Sequence, residues 1–341
     1  MKKWMKFVGT AAVGLMALTA CGGQQSSAPA EPEENNAGEE APAEEEITFK
    51  IGATQIVEHP SLDAAYEGFQ KALEDAGLSV SYDFQSAQGD QNNVHTIANN
   101  FVANNVDLIF TNSTVSTLGA LNATKEIPIV FASVSDPVAA GLVTALDEPG
   151  ENITGVIDLH PEFTEKTVQF IEEHFEGATV GIIIDSGEQN SISQLEAVKA
   201  AMEGTSLTLV ERSVDSSAVV AEAARSLADR VDVFLMTTDN TVVQGLGALV
   251  GVANDYDIPL IVGDPESLES GGFATYGVDF FSIGYRAGEM AVQILKGEKV
   301  PSEINVEIPP ELTLLINKKA AEEQGVEWND QWEETAEVIN N

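Results

Sequence analysis

The chain has 341 residues, and its 55 Asp and Glu against 16 Lys and Arg give a formal net charge of −39 at pH 7. This charge argues against binding to nucleic acid and against adsorption to an anionic membrane surface, because both partners are themselves negatively charged. The single cysteine excludes an intramolecular disulfide, so the fold has to be stabilised by a hydrophobic core, for which the length is ample.

The first 20 residues predict an export signal. Three lysines precede an apolar run from Phe7 to Ala20, which is too short to be a membrane span. The run leads into LTACG at residues 18–22, which resembles a bacterial lipobox with Cys21 as the acylated residue. We therefore expect a signal peptide over residues 1–20 and a mature protein held on the cell membrane by acyl chains such as palmitate on Cys21.

Residues 21–46 predict an acidic, disordered tether. The segment is rich in Gln, Ser, Ala, Pro and Glu, with eight glutamates between Glu31 and Glu46. Such a composition cannot bury a core of its own. The folded part of the protein is therefore expected to begin at Ile47.

Beyond the tether, apolar runs alternate with segments of helical periodicity. Residues 47–56 predict a first strand, and the next helix is expected to have Ser61 as its N-cap and to end at Gly77. A second strand, a helix and a third strand then follow as far as Phe110. This alternation is typical of an α/β protein with parallel sheets.

The stretch from Val106 to Pro137 is repeated in outline from Val231 to Pro265. Each copy has a Val-Asp step, an apolar run, a polar cluster, a helix-length segment, an Ile-Pro step, a second apolar run and an Asp-Pro. This order predicts a strand, a helix and a parallel strand, so two copies predict two similar α/β lobes. Ligands bind beyond the carboxyl ends of such strands, so we expect the polar clusters to face each other across a cleft.

Several short motifs along the chain carry a family resemblance. They are the lipobox and, in order, EHP at 58–60, AQGD at 87–90, IPIVF at 127–131, VSDP at 134–137, NITG at 152–155, EQNS at 188–191 and TDN at 238–240. Together they resemble the tryptophan/tyrosine-type substrate-binding lipoproteins of ABC transporters, from Ile47 to about Trp328.

The resemblance implies a type I periplasmic-binding-protein fold, with two doubly wound parallel-sheet lobes joined by a hinge of three crossings. By analogy the crossings are expected near Gly155, near residues 272–274 and near residues 297–301. The boundaries that follow are 47–155 and 275–299 for lobe one, 156–274 and 300–330 for lobe two, and 331–341 for a C-terminal tail.

The resemblance also implies the function of an extracytoplasmic solute-binding protein and not of an enzyme. We expect a monomer that closes its lobes on a small polar solute, most simply an aromatic amino acid, and delivers it to the permease and ATPase subunits of an ABC importer. A lipoprotein that reports the solute to a membrane receptor could use the same fold and cleft, and the sequence leaves that alternative open.

The polar clusters suggest how such a solute is held. Helix N-termini carry free N–H groups, so Asn112, Ser113 and Thr114 are candidates to bind a carboxylate, whereas Asp239 at the matching position of the second copy would pair with an ammonium. These residues could equally be helix caps. The further candidates in strand-to-helix loops are Gln55, Glu58, His59, Ser133, Asp136, Glu188, Asn190, Ser191 and Asp264.

Competing chemistries find little support in the sequence. The four histidines show no paired spacing for a metal, and no serine nucleophile motif is present. The glycines at 245, 247 and 251 have the wrong spacing for a dinucleotide fingerprint, so helix packing is the better explanation for them. We therefore expect neither a metal nor a cofactor.

Overall fold

Two separate parallel sheets dominate the part of the chain that the computed structural model describes, residues 48–309 and 312–340. The predicted signal peptide, Cys21 and the tether lie outside these residues. Within the described residues, none of the helices combines the length and the hydropathy that crossing a bilayer requires.

Twelve strands are present in the described residues: β1 Thr48–Gln55, β2 Ser79–Ser86, β3 Leu108–Asn112, β4 Ile129–Val134, β5 Ile153–Ile157, β6 Thr179–Asp185, β7 Thr208–Val214, β8 Val233–Leu235, β9 Leu260–Ile261, β10 Ala274–Gly277, β11 Thr313–Asn317 and β12 Glu337–Ile339.

The helices of the same residues are α1 Pro60–Asp75, α2 Gln91–Ala103, α3 Thr114–Ala123, α4 Phe163–His174, α5 Gln189–Met202, α6 Val220–Ala228, α7 Asn240–Gln244, α8 Leu246–Asp255, α9 Pro265–Glu269, α10 Phe280–Leu295, α11 Lys318–Glu323 and α12 Trp332–Thr335.

The two sheets share one strand order, which confirms the predicted duplication. The first sheet runs β2-β1-β3-β4-β5, and the second contains β7-β6-β8-β9-β10 in the corresponding order, extended by β11 and β12. All pairs are parallel except β10 with β11. The predicted fold class, two parallel α/β lobes, is confirmed.

The start of α1 differs from the prediction in its cap. His59, not Ser61, is the N-cap, and its Nδ1 accepts a hydrogen bond of 3.4 Å from the Leu62 amide. Pro60 takes the first helical position, where its fixed φ and its missing N–H are tolerated. Ser61 is thereby left with its hydroxyl directed toward the second lobe.

Helix α10 packs against α1 in lobe one at very short backbone separation. A methyl group on Gly284 would lie 1.7 Å from the Ala65 carbonyl oxygen, and one on Gly68 would lie 2.0 Å from the Phe281 carbonyl oxygen. Only glycine permits this approach, so α10 belongs to lobe one although it follows a strand of lobe two.

The chain crosses between lobes three times, but two crossings are later than predicted. The first follows Ile157, close to the predicted position. The second follows Gly277, because β10 first pairs with β9 and β11 in lobe two. The third follows Glu307, which first bridges Val156 of lobe one.

The predicted domain boundaries change accordingly. Residues 304–307 contact lobe one, with the Thr154 hydroxyl donating to the Ile304 carbonyl at 2.6 Å. The predicted tail contains β12, which completes the second sheet by pairing with β11. A three-residue strand is too short to be recognised from periodicity.

Candidate functional site

A buried cavity lies between the two lobes, at the carboxyl ends of their strands. Its free volume in this arrangement is about 10 Å³, room for roughly one water molecule, so a solute of amino-acid size requires the walls to move apart. Side chains of both lobes line it: His59, Ser61, Leu62, Ser133, Ser135, Asp158 and Phe280 from lobe one and its crossings, and Asn190, Thr238, Asn240, Val243 and Asp264 from lobe two. A second pocket shares His59, Ser61 and Val243 with the cavity and also includes Glu58.

Asp158 is a buried carboxylate in this cavity, and no cation among the described lining residues compensates its charge. It directly follows β5, and its Oδ1 has no hydrogen-bond partner among the described residues. Burial raises its pKa to about 7, and the nearby charge of Asp264 contributes in the same direction, while a hydrogen bond with Ser135 opposes the shift.

Two further acceptors in the cavity lack partners within the described chain. The Ser133 hydroxyl is one, and Ser133 has a positive φ of 56° where the pairing of β4 with β5 shifts register. The other is Oδ1 of Asn190, whose Nδ2 already faces the Thr238 carbonyl at 3.3 Å and Glu188 Oε2 at 3.2 Å. Backbone strain of this kind is concentrated at binding sites.

Asp264 supplies a second carboxylate from the opposite lobe. Its Oδ1 accepts from the Ser61 hydroxyl at 2.8 Å across the cleft and from the Ser267 amide at 2.8 Å. No Lys or Arg is among the described residues that line the cavity. The cavity is therefore a negatively charged, partly apolar space that suits a cation.

His59 is held in one tautomer by its neighbours. Its Nδ1 accepts from the Leu62 amide, so Nε2 bears the proton and faces Asn240 Oδ1 at 3.4 Å. The Asn240 amide is oriented by donating to Glu188 Oε2 at 2.5 Å. Because burial lowers the pKa of His59, the ring is neutral near pH 7 and adds no positive charge to the cavity.

Asp239, predicted to bind an ammonium, has a capping position instead. Its Oδ1 accepts from the Val242 amide at 2.9 Å and its Oδ2 from the Asp185 amide at 2.5 Å. Burial and the neighbouring Glu188 raise its pKa to about 7. It does not line the cavity, which agrees with the alternative that the sequence left open.

The Glu188 carboxylate also accepts hydrogen bonds from within the protein. Its carboxylate accepts from the amides of Asn240 and Thr241, the first residues of α7, at 3.2 and 3.1 Å. The anion site that a helix N-terminus offers is thus filled by a side chain of the protein. Ser191 is buried beside Glu188 and Asp239 and does not line the cavity either.

The predicted carboxylate site at the end of β3 lies outside the cavity. Asn112 donates to the Leu62 carbonyl at 2.6 Å and to Gln55 Oε1 at 3.3 Å, and Ser113 caps α3 through the Ser116 amide. Thr114 is buried next to them. These residues connect β3 to α1 and α3, so their arrangement supports the cavity wall.

Asp136 is the remaining candidate, and in the structure its side chain stabilises a turn. Its Oδ1 accepts from the amides of Val138 and Ala139 at 3.1 and 2.8 Å. It lines a different pocket. Of the predicted ligand-contact residues, the cavity brings together His59, Ser133, Asn190 and Asp264.

Sequence reasoning missed Asp158, which follows an edge strand, and it also missed the apolar residues of the cavity wall. Asp158 follows a strand just as the chosen candidates do, and only the assignment of Ile153–Ile157 as a strand end would have singled it out. Leu62, Val243 and Phe280 carry no signal beyond hydrophobicity. Tyr66, Phe131 and Tyr276, whose rings could stack on an aromatic ligand, pack in the two cores instead.

The geometry agrees with what comparison to known proteins finds. The family model described as ABC transporter substrate binding protein matches residues 50–339. A tyrosine-binding protein of Clostridioides difficile is 35% identical over 322 residues, which cover 93% of this chain and 90% of that protein.

Two solved relatives differ in whether a ligand is bound. A Streptococcus pneumonia domain in complex with L-Trp is 34% identical, covers 86% of this chain and 100% of its own, and has a TM-score of 0.81. A ligand-free, open substrate-binding protein from Clostridium difficile, 35% identical with coverages of 86% and 99%, has a TM-score of 0.62.

At nearly equal identity and coverage, the structure described here thus superimposes better on the L-Trp complex than on the ligand-free, open protein. Direct hydrogen bonds, such as that from Ser61 to Asp264, connect the two lobes. The family match spans nearly the whole folded region, and the cavity lies where two parallel sheets present their strand ends to each other. This chain belongs to the ABC transporter substrate-binding protein family, whose members bind a solute and do not transform it.

Proposed function

We propose that this protein is an extracytoplasmic lipoprotein that captures an amino acid, preferably an aromatic one, and delivers it to the permease of an ABC importer. The family match and the tyrosine- and tryptophan-binding relatives support the solute class. The lipobox at Cys21 supports the anchor.

One observation carries the amino-acid proposal. Three acceptors without partners among the described residues belong to side chains that line the same cavity, namely Asp158 Oδ1, Asn190 Oδ1 and the Ser133 hydroxyl. An ammonium group has three N–H donors and a positive charge. It would satisfy all three acceptors and compensate the buried carboxylate, which no side chain of the cavity does.

The rest of the cavity wall is apolar and suits an apolar side chain of the ligand. Leu62, Val243 and Phe280 line the cavity and are themselves at most 6% exposed. Aromatic rings bury a large apolar area in such a wall, and Phe280 offers a ring for edge or stacked contact. We assign the α-ammonium to the acidic end and the side chain to this wall.

The carboxylates of Asp158 and Asp264 couple ligand binding to closure of the two lobes. Asp158 follows the last strand of lobe one and Asp264 belongs to lobe two, so closing an empty cleft brings two carboxylates together. A ligand cation between them converts this repulsion into attraction. Since a ligand shifts an equilibrium only by its differential affinity for the two states, the cation supplies the bias toward the closed form.

The test is a thermal-shift screen of the twenty amino acids, followed by calorimetry on Asp158→Asn. A hundredfold excess of ligand over Kd should stabilise the wild type by about 2.7 kcal/mol. Asp158→Asn keeps the size of the side chain but removes the charge, which should cost about 2 to 5 kcal/mol of binding, or well over tenfold in Kd.

The matched control is Asp239→Asn, an equally buried carboxylate outside the cavity. We expect it to lower the melting temperature through the lost backbone contacts at α7 while leaving affinity close to that of the wild type. An analogue of the best ligand that lacks the amine should not bind. Wild-type affinity in Asp158→Asn, or tight binding of the amine-free analogue, would refute the ammonium site.

A further inference from the structure

The second pocket between the lobes has the room that the cavity lacks. Its free volume is about 310 Å³, against about 10 Å³ in the cavity, and falls within the range of about 300 to 1,000 Å³ of small-molecule sites. Its walls come from both lobes, with the start of α1 on one side and α7, α8 and α9 on the other. A solute of amino-acid size therefore has space here for the part that the cavity cannot hold.

The boundary between the two spaces is formed by His59, Ser61 and Val243, which line both. Two of these side chains are hydrogen-bonded to the other lobe. The Ser61 hydroxyl donates to Asp264 Oδ1 at 2.8 Å, and His59 Nε2 donates to Asn240 Oδ1 at 3.4 Å. Both bonds join the lobes, so both break when the lobes move apart to admit a solute. The cavity and the second pocket then become continuous past Val243.

The second pocket combines an apolar surface with one buried carboxyl oxygen. Pro60, Val243 and Leu246 supply the apolar contacts, and Leu246 is only 6% exposed. Glu266 lines the same pocket, and its Oε2 is buried without a hydrogen-bond partner among the described residues. Glu58, the other acidic residue of the lining, is exposed to solvent. A ligand that bonds to Glu266 would therefore satisfy a group that the protein itself leaves unsatisfied.

The carboxyl group of Glu266 favours a neutral hydrogen-bonding group over a second cation. Burial raises its pKa to about 8, and the nearby charge of Asp264 adds to the shift, so the group is largely protonated at neutral pH. A protonated carboxyl group both donates and accepts hydrogen bonds. A phenol hydroxyl also does both, whereas an ammonium only donates and would bring a charge to an uncharged group.

We propose that the second pocket receives the side chain of the solute and that Glu266 recognises a phenol hydroxyl at its end, which makes tyrosine the preferred ligand. This inference rests on the proposed amino-acid function. The α-ammonium lies at Asp158, the ring packs against Val243, which belongs to both spaces, and the hydroxyl reaches Glu266. Glu266 is then a specificity-determining residue that lobe two contributes.

Tyrosine and phenylalanine differ only in that hydroxyl, so the ratio of their Kd values isolates its contact. Calorimetry should show that the wild type binds L-tyrosine about tenfold or more tightly than L-phenylalanine. Glu266→Met keeps the length of the side chain and removes the carboxyl group. It should weaken tyrosine binding, leave phenylalanine binding unchanged and bring the ratio close to one, without lowering the melting temperature of the ligand-free protein. Glu266→Gln keeps a donor and an acceptor and should retain most of the preference.

Two glycines of α8 provide a matched steric test. Gly247 lines the second pocket, whereas Gly251, about one helical turn further on, does not. Both positions are exposed, and an added methyl group meets nothing within 4 Å at either of them. Gly247→Leu should fill part of the pocket and weaken tyrosine binding by about tenfold or more, while Gly251→Leu should keep the wild-type Kd. Melting temperatures of the two ligand-free variants check that both remain folded.

Several outcomes would overturn the inference. They are equal Kd values for tyrosine and phenylalanine in the wild type, an unchanged ratio in Glu266→Met, wild-type tyrosine affinity in Gly247→Leu, or no tyrosine binding by a protein that binds another amino acid. These outcomes leave the ammonium site intact, because Asp158→Asn should weaken tyrosine and phenylalanine by the same factor. Failure of Asp158→Asn to weaken binding of either ligand would instead overturn the proposed function.

Discussion

Asp158 combines burial, a missing hydrogen-bond partner within the described residues and a neighbouring like charge. Each of these disfavours the ionised form, and their sum raises the pKa to about 7. Carboxylates in this condition are characteristic of sites where a ligand supplies the missing charge. The chemistry of the cleft therefore depends on a side chain that is half protonated near neutrality when no cation is present.

Ligand affinity should accordingly weaken in acid. The ammonium binds the ionised carboxylate, so protons compete with the ligand as the pH falls through the Asp158 pKa of about 7, and affinity levels off above it. Calorimetry between about pH 5.5 and pH 8.5 measures this, and at neutral pH binding should release protons into the buffer. Asp158→Asn should flatten the profile; a profile as steep in that variant would assign the titration to Asp239 or Glu188.

The sequence could indicate where polar residues collect but not which of them remain unsatisfied. Asp239 and Asp158 both follow strands, and nothing local distinguishes them. In the fold the Asp239 oxygens meet two backbone amides, whereas Asp158 lies at a crossing where no helix begins beside it. Hydrogen-bond satisfaction is a tertiary property, so the ligand-facing carboxylate emerged only from the structure.

At the level of elements, hydrophobic periodicity was sufficient to predict the strands and helices of the two repeated units. The strand, helix, strand copies at 106–137 and 231–265 appear as β3-α3-β4 and as β8-α7-α8-β9 with parallel pairing. The crossings were displaced because β10 and residues 304–307 pair with neighbours distant in sequence. Long-range pairing of short segments leaves no local signature.

Two glycine substitutions should change the free energy of unfolding in opposite directions, because Gly284 lies in the contact of α1 with α10 and Gly251 does not. Gly284→Ala places a methyl group 1.7 Å from the Ala65 carbonyl oxygen and should destabilise the fold by about 3 kcal/mol or more. Gly251→Ala, at an exposed position of α8 where the added methyl group meets nothing within 4 Å, should stabilise it by about 0.5 to 1 kcal/mol. Urea denaturation of both variants decides; equal stabilities would contradict the close packing.

At the scale of the whole molecule, the strong negative charge limits how the protein can be held on a membrane. The formal charge of −39 repels anionic headgroups, so electrostatics cannot hold this protein on a membrane. Any retention at the membrane must come from the acyl chains expected on Cys21.

Cys21→Ala should therefore release the protein from membranes. Cell fractionation, with Ser26→Ala in the same segment as the control, should place the cysteine variant in the soluble or secreted fraction and the control on membranes. A Cys21→Ala protein that still sediments with membranes would exclude the lipid anchor without affecting the binding proposal.

The glycine contact of α10 with α1 has a consequence for biogenesis. Lobe one needs residues 280–295 to cover α1, so its core stays incomplete until more than four-fifths of the 341 residues have left the export channel. Residues 158–277, by contrast, supply five consecutive strands of the second sheet before that moment. The second lobe should thus gain structure first, and the exposed apolar face of α1 makes the interval before α10 emerges the period in which the nascent protein depends most on chaperones and is most sensitive to proteases.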